Sequence, residues 1–346
     1  MTTQPTYLPV LGVVIVTYTS ADVILDCLES LLAAPGVRLR IVVVDNASPD
    51  ATITTLRNWA DGTTPYAVAA DIPFPLPTVP KPMALLAPSD TPPTGTSITL
   101  IQTGRNAGFA AGVNAGLAYL ALDTEISRFW VLNPDSVVPP QTPVLFATHG
   151  GPTAHFSLMG GRVTYLHAPD MIQIDGGTIN RRTGVTGNLN LGCSAAATPQ
   201  PDATALDFIM GASMVASREF YEATGPMEEA YFLYYEEVDW AQRRGDLPLS
   251  ICPDATILHR AGTAIGSPTL ERGASPFSVY FKHRARMIFT RRFLPRSLPG
   301  AYAYSLAKAA QLALKGQRAQ AMALLRATHG LKPSAAVKAK LHSSIR

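Results

Sequence analysis

The sequence predicts an α/β fold, a mostly parallel sheet with helices on both faces, followed by a basic helical extension at the C-terminus. Three observations carry this. Continuous β-branched segments of strand length alternate with segments of helical periodicity from Gly12 to Asp135. Hydrophobic residues make up 47% of the 346 and charged residues 15%, the balance of a chain with a packed core. Charge is also segregated: Arg272 to Arg346 holds 15 Lys or Arg and no Asp or Glu, against 13 basic and 25 acidic residues in the rest.

The elements follow in order. Gly12 to Tyr18 holds an unbroken β-branched run from Val13 to Thr17, the signature of a strand buried on both faces. Ser20 is placed to cap a helix whose apolar Val23, Ile24, Cys27, Leu28, Leu31 and Leu32 keep helical spacing, and Pro35-Gly36 ends it. Arg40 to Val44 is a second buried strand that stops at Asp45-Asn46, with a new helix starting near Pro49. Residues 61–97 are dense in proline and lack any period, which predicts an extended insertion lying on the surface. Order resumes with a strand from Ser97 to Ile101, a small-residue helix from about Ala107 to Leu122, and a strand from Arg128 to Leu132 that ends at Asn133-Pro134-Asp135. The second half is more mixed. Strand-like pieces fall at 158–165, 171–179 and 206–210, and an acidic helix from Tyr231 to Arg244. Strands follow near 249–252 and 255–259, then helices near 277–293, 300–314 and 317–328.

Several function classes drop out on composition. Cys27, Cys193 and Cys252 lie far apart with no CxxC pair, which argues against a disulfide scaffold and a cysteine-ligated metal. No cleavable leader and no apolar run of membrane-spanning length is present, so the expected compartment is the reducing cytosol. The wholly basic tail predicts an anionic surface or ligand at one end: a membrane leaflet, nucleic acid or a diphosphate.

In an open parallel sheet, ligands gather at the carboxyl ends of the strands, where Asp45, Arg105 and Asp135 fall. Gly104, Gly108, Gly112 and Gly116 recur every four residues, which is not a dinucleotide fingerprint; Gly112 and Gly116 let a helix approach the sheet. Arg105-Asn106, just before that helix, suits a diphosphate. Asp135 is a carboxylate at a strand end, of the kind that holds a hard divalent cation together with ligand phosphates. Between Tyr231 and Trp240, Glu236, Glu237 and Asp239 sit among aromatic rings; such crowding raises at least one carboxylate pKa and makes a general base. His259 closes a strand and is a candidate metal ligand.

Taken in order, these pieces resemble family-2 glycosyltransferases of the A-type fold, especially their bacterial rhamnosyltransferase-like branch. VVIVTYTS looks like the opening strand, with Thr19 where Asn is usual. VVVDNAS is similar to the second strand with its nucleotide-binding aspartate, here Asp45. GRNAGFAAGVNAG resembles the glycine-rich stretch near the diphosphate, and VLNPDSVV a variant DxD motif that keeps its last acid, Asp135. MGASMVASREFYEATGPMEEAYFLYYEEVDW is similar to the acceptor-side block, and ILHRAG to the segment with the late metal-binding histidine. The family's base is usually the Asp of Glu-Asp; Glu237 stands there, which leaves the base open between Glu237 and its neighbours Glu236 and Asp239.

The resemblance implies a catalytic domain over 1–60 and 98–293, its nucleotide-sugar half reaching to about 150, with 61–97 an insertion and 294–346 a basic helical extension. It implies nucleotide contacts at Thr17, Tyr18, Asp45, Asn46, Arg105, Asn106, Gly108 and Asn133, with a magnesium or manganese ion at Asp135 and His259. Acceptor contacts fall at Gly211, Ala212, Tyr235, Trp240 and Arg243. The implied reaction moves a sugar, rhamnose being one candidate, from a nucleotide-diphosphate donor to a hydroxyl of a glycan or lipid-linked acceptor. The anomeric configuration inverts, and the setting is cell-surface polysaccharide synthesis at the inner face of the membrane. Two other readings compete. A nucleotide- or nucleic-acid-binding module without catalysis gains from the basic tail but lacks an RNA-binding aromatic signature and a helix-turn-helix pattern, so no nucleic acid is expected. A nucleotidyltransferase would carry a glycine-rich basic loop after the first strand, where Thr17 to Ala21 has neither glycine nor a basic residue.

Overall fold

A computed structural model describes residues 8–260 and 273–342. The first half runs β1 (Val10–Thr17), α1 (Ile24–Leu32), β2 (Arg38–Asp45), α2 (Thr52–Asp61), β3 (Leu85–Leu86), β4 (Ser97–Gln102), α3 (Phe109–Leu120) and β5 (Arg128–Leu132). Then come β6 (Ser136–Val137), α4 (Thr142–Thr148), β7 (Leu158–Tyr165), β8 (Ala168–Ile174), β9 (Gly177–Asn180), β10 (Val185–Asn188), β11 (Ser213–Ser217) and α5 (Arg218–Thr224). The chain continues through α6 (Glu236–Gln242), β12 (Ser250–His259), α7 (Pro276–Phe293), α8 (Leu298–Leu314), α9 (Arg318–Thr328) and α10 (Ala335–His342).

The main sheet runs in the order β3-β4-β2-β1-β5-β11-β7-β12-β6, with β8 paired to β7, and β9 and β10 form a separate antiparallel pair. The half from β3 to β5 is wholly parallel. Antiparallel β11 then joins β5 to β7, and β12 returns parallel to β7. Strand parity explains the layers. Val14 and Val16 of β1 pack with α3 residues Val113 and Leu117 on one face. Leu11, Val13 and Ile15 pack with Ile24 and Leu28 of α1 and with Leu56 and Trp59 of α2 on the other. Gly112 and Gly116 meet the expectation set for them: a Cβ there would lie 2.6 Å from Val16 and 2.5 Å from Val14, so only glycine lets α3 sit this close.

Five sequence expectations need correction. Ser20 does not cap α1 through its side chain. Its carbonyl accepts from Val23 and Ile24, and its hydroxyl accepts from the Tyr18 amide. The 171–179 segment is two strands, β8 and β9, broken at Gly176. Residues 206–210 form no strand; Phe208 makes one isolated bridge to Gly177. The acidic helix is only α6, preceded by a turn in which Phe232, Tyr234 and Tyr235 all take positive φ. The two late strands are one, β12, with an irregularity between Ile251 and Thr256.

The insertion is less superficial than its composition suggests. Glu29 on α1 is completely buried and accepts from Trp59 Nε1 at 2.7 Å, the Val79 amide at 2.9 Å and Lys81 Nζ at 2.9 Å. Ile72 and Phe74 pack on Val137, Leu166 and Leu258. At the other end of the chain, α7 binds the extension to the body. The buried Arg286 donates to the carbonyls of Thr183 and Ala301 and to the Ser305 hydroxyl.

Candidate active site

The parallel register brings the first group of candidates to one level: Thr17 of β1 lies beside Asp45 of β2, and Asp45 beside Gln102 of β4. Asp45 is buried; one carboxylate oxygen accepts from Thr17 Oγ1 at 3.0 Å, the other from the Ser48 amide at 3.0 Å. These bonds fix the carboxylate and leave further lone pairs for a ligand. Asn46 Nδ2 donates to the Gly108 carbonyl at 2.9 Å, tying the end of β2 to the start of α3. Asn106 Oδ1 accepts from the Gly108 amide at 3.0 Å, and Arg105 is exposed beside it. The Tyr18 hydroxyl is buried beside the Asn106 side chain; burial raises its pKa, and Asn106 pulls it the other way.

The second group lies across β5, β6 and β12. His259 Nδ1 faces Gln173 Oε1 of β8 at 2.9 Å, which fixes the proton on Nδ1 and turns the Nε2 lone pair inward. Nε2 lies 3.0 Å from Asp135 Oδ1 and 3.2 Å from Asn133 Nδ2. A carboxylate oxygen and an imidazole lone pair at this separation need a proton or a cation between them. Two cis ligands of an octahedral cation, each roughly 2.1 Å from it, stand about 3 Å apart, so the pair fits magnesium or manganese. Among the described residues no group of three or more His, Cys, Asp or Glu gathers around a point, so phosphate and water oxygens would complete such a shell. Of the ILHRAG segment, Ala261 and Gly262 lie outside the described residues.

The third group is the acidic turn. Glu236 is buried, and its Oε2 has no hydrogen-bond partner. Burial, and next the charge of Glu237, push its pKa up. Glu237 is half-buried and also raised by burial, with backbone amides and then the Lys282 ammonium of α7 pulling the other way. The Lys282 pKa is lowered by desolvation, and the Glu237 charge pulls it back up.

A chain of contacts joins the three groups. A Cβ on Gly108 would lie 2.4 Å from the Phe232 carbonyl, and the Phe109 amide donates to that carbonyl at 3.0 Å. Gly211 lies against Phe109 and against the Glu237 side chain, at 3.5 and 3.8 Å from its would-be Cβ. The neighbouring Ala212 carbonyl accepts from the Asn133 amide at 2.9 Å, and Asn133 leads to His259 and Asp135.

Four expected site residues are not brought to this cleft. The Asp239 carboxylate is wholly buried under Tyr231 OH at 3.0 Å, Arg243 Nε at 2.7 Å and Arg292 at 2.9 Å, which removes it as a base. Arg243 also donates to the carbonyls of Thr224 and Pro226. Trp240 is wholly buried and donates to the Gly225 carbonyl; Tyr235 is buried and donates to the Gly184 carbonyl. These side chains hold α6 from behind. Sequence reasoning missed Gln173 and Lys282, which reach the site only through the β7–β8 pairing and the packing of α7. No local motif signals either.

Residues 12–69 match the family model for glycosyl transferase family 2. A hexosyltransferase of low-salt glycan biosynthesis, Agl10 of Haloferax volcanii, is 23% identical over 207 residues, 58% of this chain; the match spans 62% of that relative's length. Two solved structures share the fold. The mannosyltransferase PcManGT of Pyrobaculum calidifontis, in complex with GDP-Man and Mn2+, gives a TM-score of 0.50 at 17% identity, over 98% of this chain and 80% of that one. GalNAc-T7, with UDP, GalNAc and Mn2+, gives 0.54 at 12% identity, over 98% and 57%. With the order of elements above, residues 12–69 are similar to glycosyl transferase family 2, and the described fold is the A-type glycosyltransferase fold of these solved structures.

Proposed function

We propose that the chain transfers a hexose from a nucleotide-diphosphate sugar to an acceptor hydroxyl in a single inverting displacement, with Glu237 as general base. The observation that supports this is the contact chain from Glu237 through Gly211 and Ala212 to Asn133, His259 and Asp135, which links a raised carboxylate to a pair that could hold a cation. Asp45 receives the nucleotide base with its remaining lone pairs, Tyr18 supplies a buried hydroxyl, and Arg105 and Asn106 meet the diphosphate at the mouth of α3. Asp135 and His259 hold a divalent cation, which supplies neutralisation of charge on the diphosphate when bound. Gly211 and Ala212 leave space for the acceptor beside Glu237. The acceptor oxygen bonds to the anomeric carbon as the bond from that carbon to the diphosphate breaks, and the acceptor proton passes to Glu237. A carboxylate raised toward neutrality takes that proton more readily than an exposed one. The mannosyltransferase relative in the solved structures carries GDP-Man, and dTDP-rhamnose belongs in the same donor panel. The acceptor in this reading is a glycan or lipid-linked hydroxyl of a cell-surface polysaccharide.

Glu237→Gln keeps the shape and removes the basicity. Its turnover should fall on the order of 10²-fold or more, with donor affinity measured by titration nearly unchanged. Near-normal turnover, with the larger loss in Glu236→Gln, would overturn the assignment.

A further inference from the structure

The outward face of α8 is apolar along its whole length. Pro299, Ala303, Leu306, Ala307, Ala310, Ala313 and Leu314 fall within about one third of the helical circumference, and all are exposed. Leu306 is 53% exposed and Leu314 90%, and Met322 on the adjacent α9 is 57% exposed. Single exposed leucines are ordinary, but an uninterrupted stripe of this kind marks a binding face. The opposite side of α8 buries Ala301, Ser305 and Ala309 against the protein, so the stripe is not a core face left open by a misplaced helix.

The surroundings of the stripe state what would cover it. Exposed Arg291 and Arg296 stand at its N-terminal end, and exposed Lys315 and Arg318 at its C-terminal end. No Asp or Glu occurs from Arg272 to the end of the chain. Tyr302 borders the stripe, its hydroxyl receiving Arg291 at 3.2 Å. Apolar residues outward, cations at both ends and a tyrosine at the margin match a bilayer interface: acyl chains for the stripe, anionic headgroups for the cations. Among the described residues no helix is long and apolar enough to cross a membrane, so the contact is one of lying on the surface. Leu314 sits at the tip of the tight α8–α9 turn beside Lys315 and Gly316, where a single side chain leads into the acyl region.

We infer that this face docks the protein on an anionic lipid leaflet, α8 lying in the plane of the interface. The inference does not depend on the catalytic reading, since none of the residues belongs to the candidate site. A second copy of the chain is the competing occupant, but two such faces would bring four like-charged ends together without an acid to offset them.

The test uses the full chain in co-sedimentation with vesicles of phosphatidylcholine alone or mixed with phosphatidylglycerol. The parent should bind the mixed vesicles at low salt and leave them at high salt, because headgroup attraction is screened over about 8 Å at physiological ionic strength. Lys315→Gln with Arg318→Gln should lower partitioning about 30-fold, at roughly fivefold per cation. Leu306→Gln with Leu314→Gln, both exposed and safe for the fold, should lower it 10-fold or more. Failure of the parent to bind mixed vesicles, or parent-like binding by both double variants, would overturn the inference. So would a concentration-dependent dimer in sedimentation velocity that the leucine pair abolishes while vesicles are ignored.

Discussion

Glu236 and Glu237 are adjacent in sequence and differ in what they face. Glu236 is enclosed with an unpartnered oxygen, while Glu237 opens toward Gly211 and Lys282. A carboxyl whose folded pKa is raised binds its proton more tightly in the folded state. It therefore contributes stability below the ordinary carboxylate range, and that stability is lost as pH rises through the folded value, about 8 for Glu236. Thermal unfolding of the parent should lose ground between about pH 5 and pH 8, and Glu236→Gln should flatten that slope; an unchanged slope would mean that Glu236 is not protonated in the fold. Thr19 holds φ at +53°, a left-handed conformation that costs a β-branched residue about 1 kcal/mol and suits asparagine better. Thr19→Asn should raise the urea midpoint by an amount corresponding to about 1 kcal/mol. The resemblance pointed at this position because Asn is usual there, but only the backbone angle says why. His259 and Asp45 were readable because each ends a strand whose apolar run is plain in the sequence, and Asp135 because it sits in the turn just past one. Asp239 was misplaced because helical periodicity gives faces, and the side that Arg243 and Arg292 cover is a property of tertiary packing.

The element that presents the acids is a turn under strain. Phe232, Tyr234 and Tyr235 hold φ near +66 to +70° immediately before α6, an arrangement that persists only where neighbours dictate it. Gly108 is one of those neighbours, at φ +97° with no room for a Cβ against the Phe232 carbonyl. Gly108→Ala should cost at least about 1–2 kcal/mol from the backbone angle alone. Because the clash falls on the turn, turnover should drop more than donor binding does. A variant that loses stability with an unaltered turnover number would separate Gly108 from the turn. The periodic glycines announced a close helix, and two of the four behave so; that a third holds the acceptor-side turn is visible only once α3 and that turn are in contact. β11 escaped notice for a related reason: the five residues of Ser213–Ser217, mixed in polarity, show no period of their own, and only β5 and β7 on either side make them a strand.

On the scale of the whole molecule, one residue latches distant parts together. Arg260, next to His259, donates to Asp26 on α1 at 2.6 Å and to Asp71 in the insertion at 2.6 Å, while Tyr66 OH of the insertion donates to the same Asp26 at 2.7 Å. Arg260→Met keeps the length of the side chain and leaves Asp26 buried without its cation. Stability should fall by about 3 kcal/mol, within the range for breaking a buried pair, measured by chemical denaturation. Asp71→Asn, whose partner is the exposed half of the pair, should cost less than about 1 kcal/mol. Equal losses in the two variants would place the weight on the surface contact. The order of layers was open to reading because hydrophobic period follows the local chain. The latch was not, because its members lie 189 and 234 residues apart.

The burial of Glu29 has a consequence for descent. Its carboxylate tolerates the core only because Trp59, the Val79 amide and Lys81 meet it there, and two of those three partners belong to the insertion. A lineage that shed the insertion would strand a charge in an apolar layer, so the loss and a change at Glu29 must travel together. Homologues with a short connection between α2 and β4 should carry an uncharged residue at that position, and homologues with the long one should keep an acid.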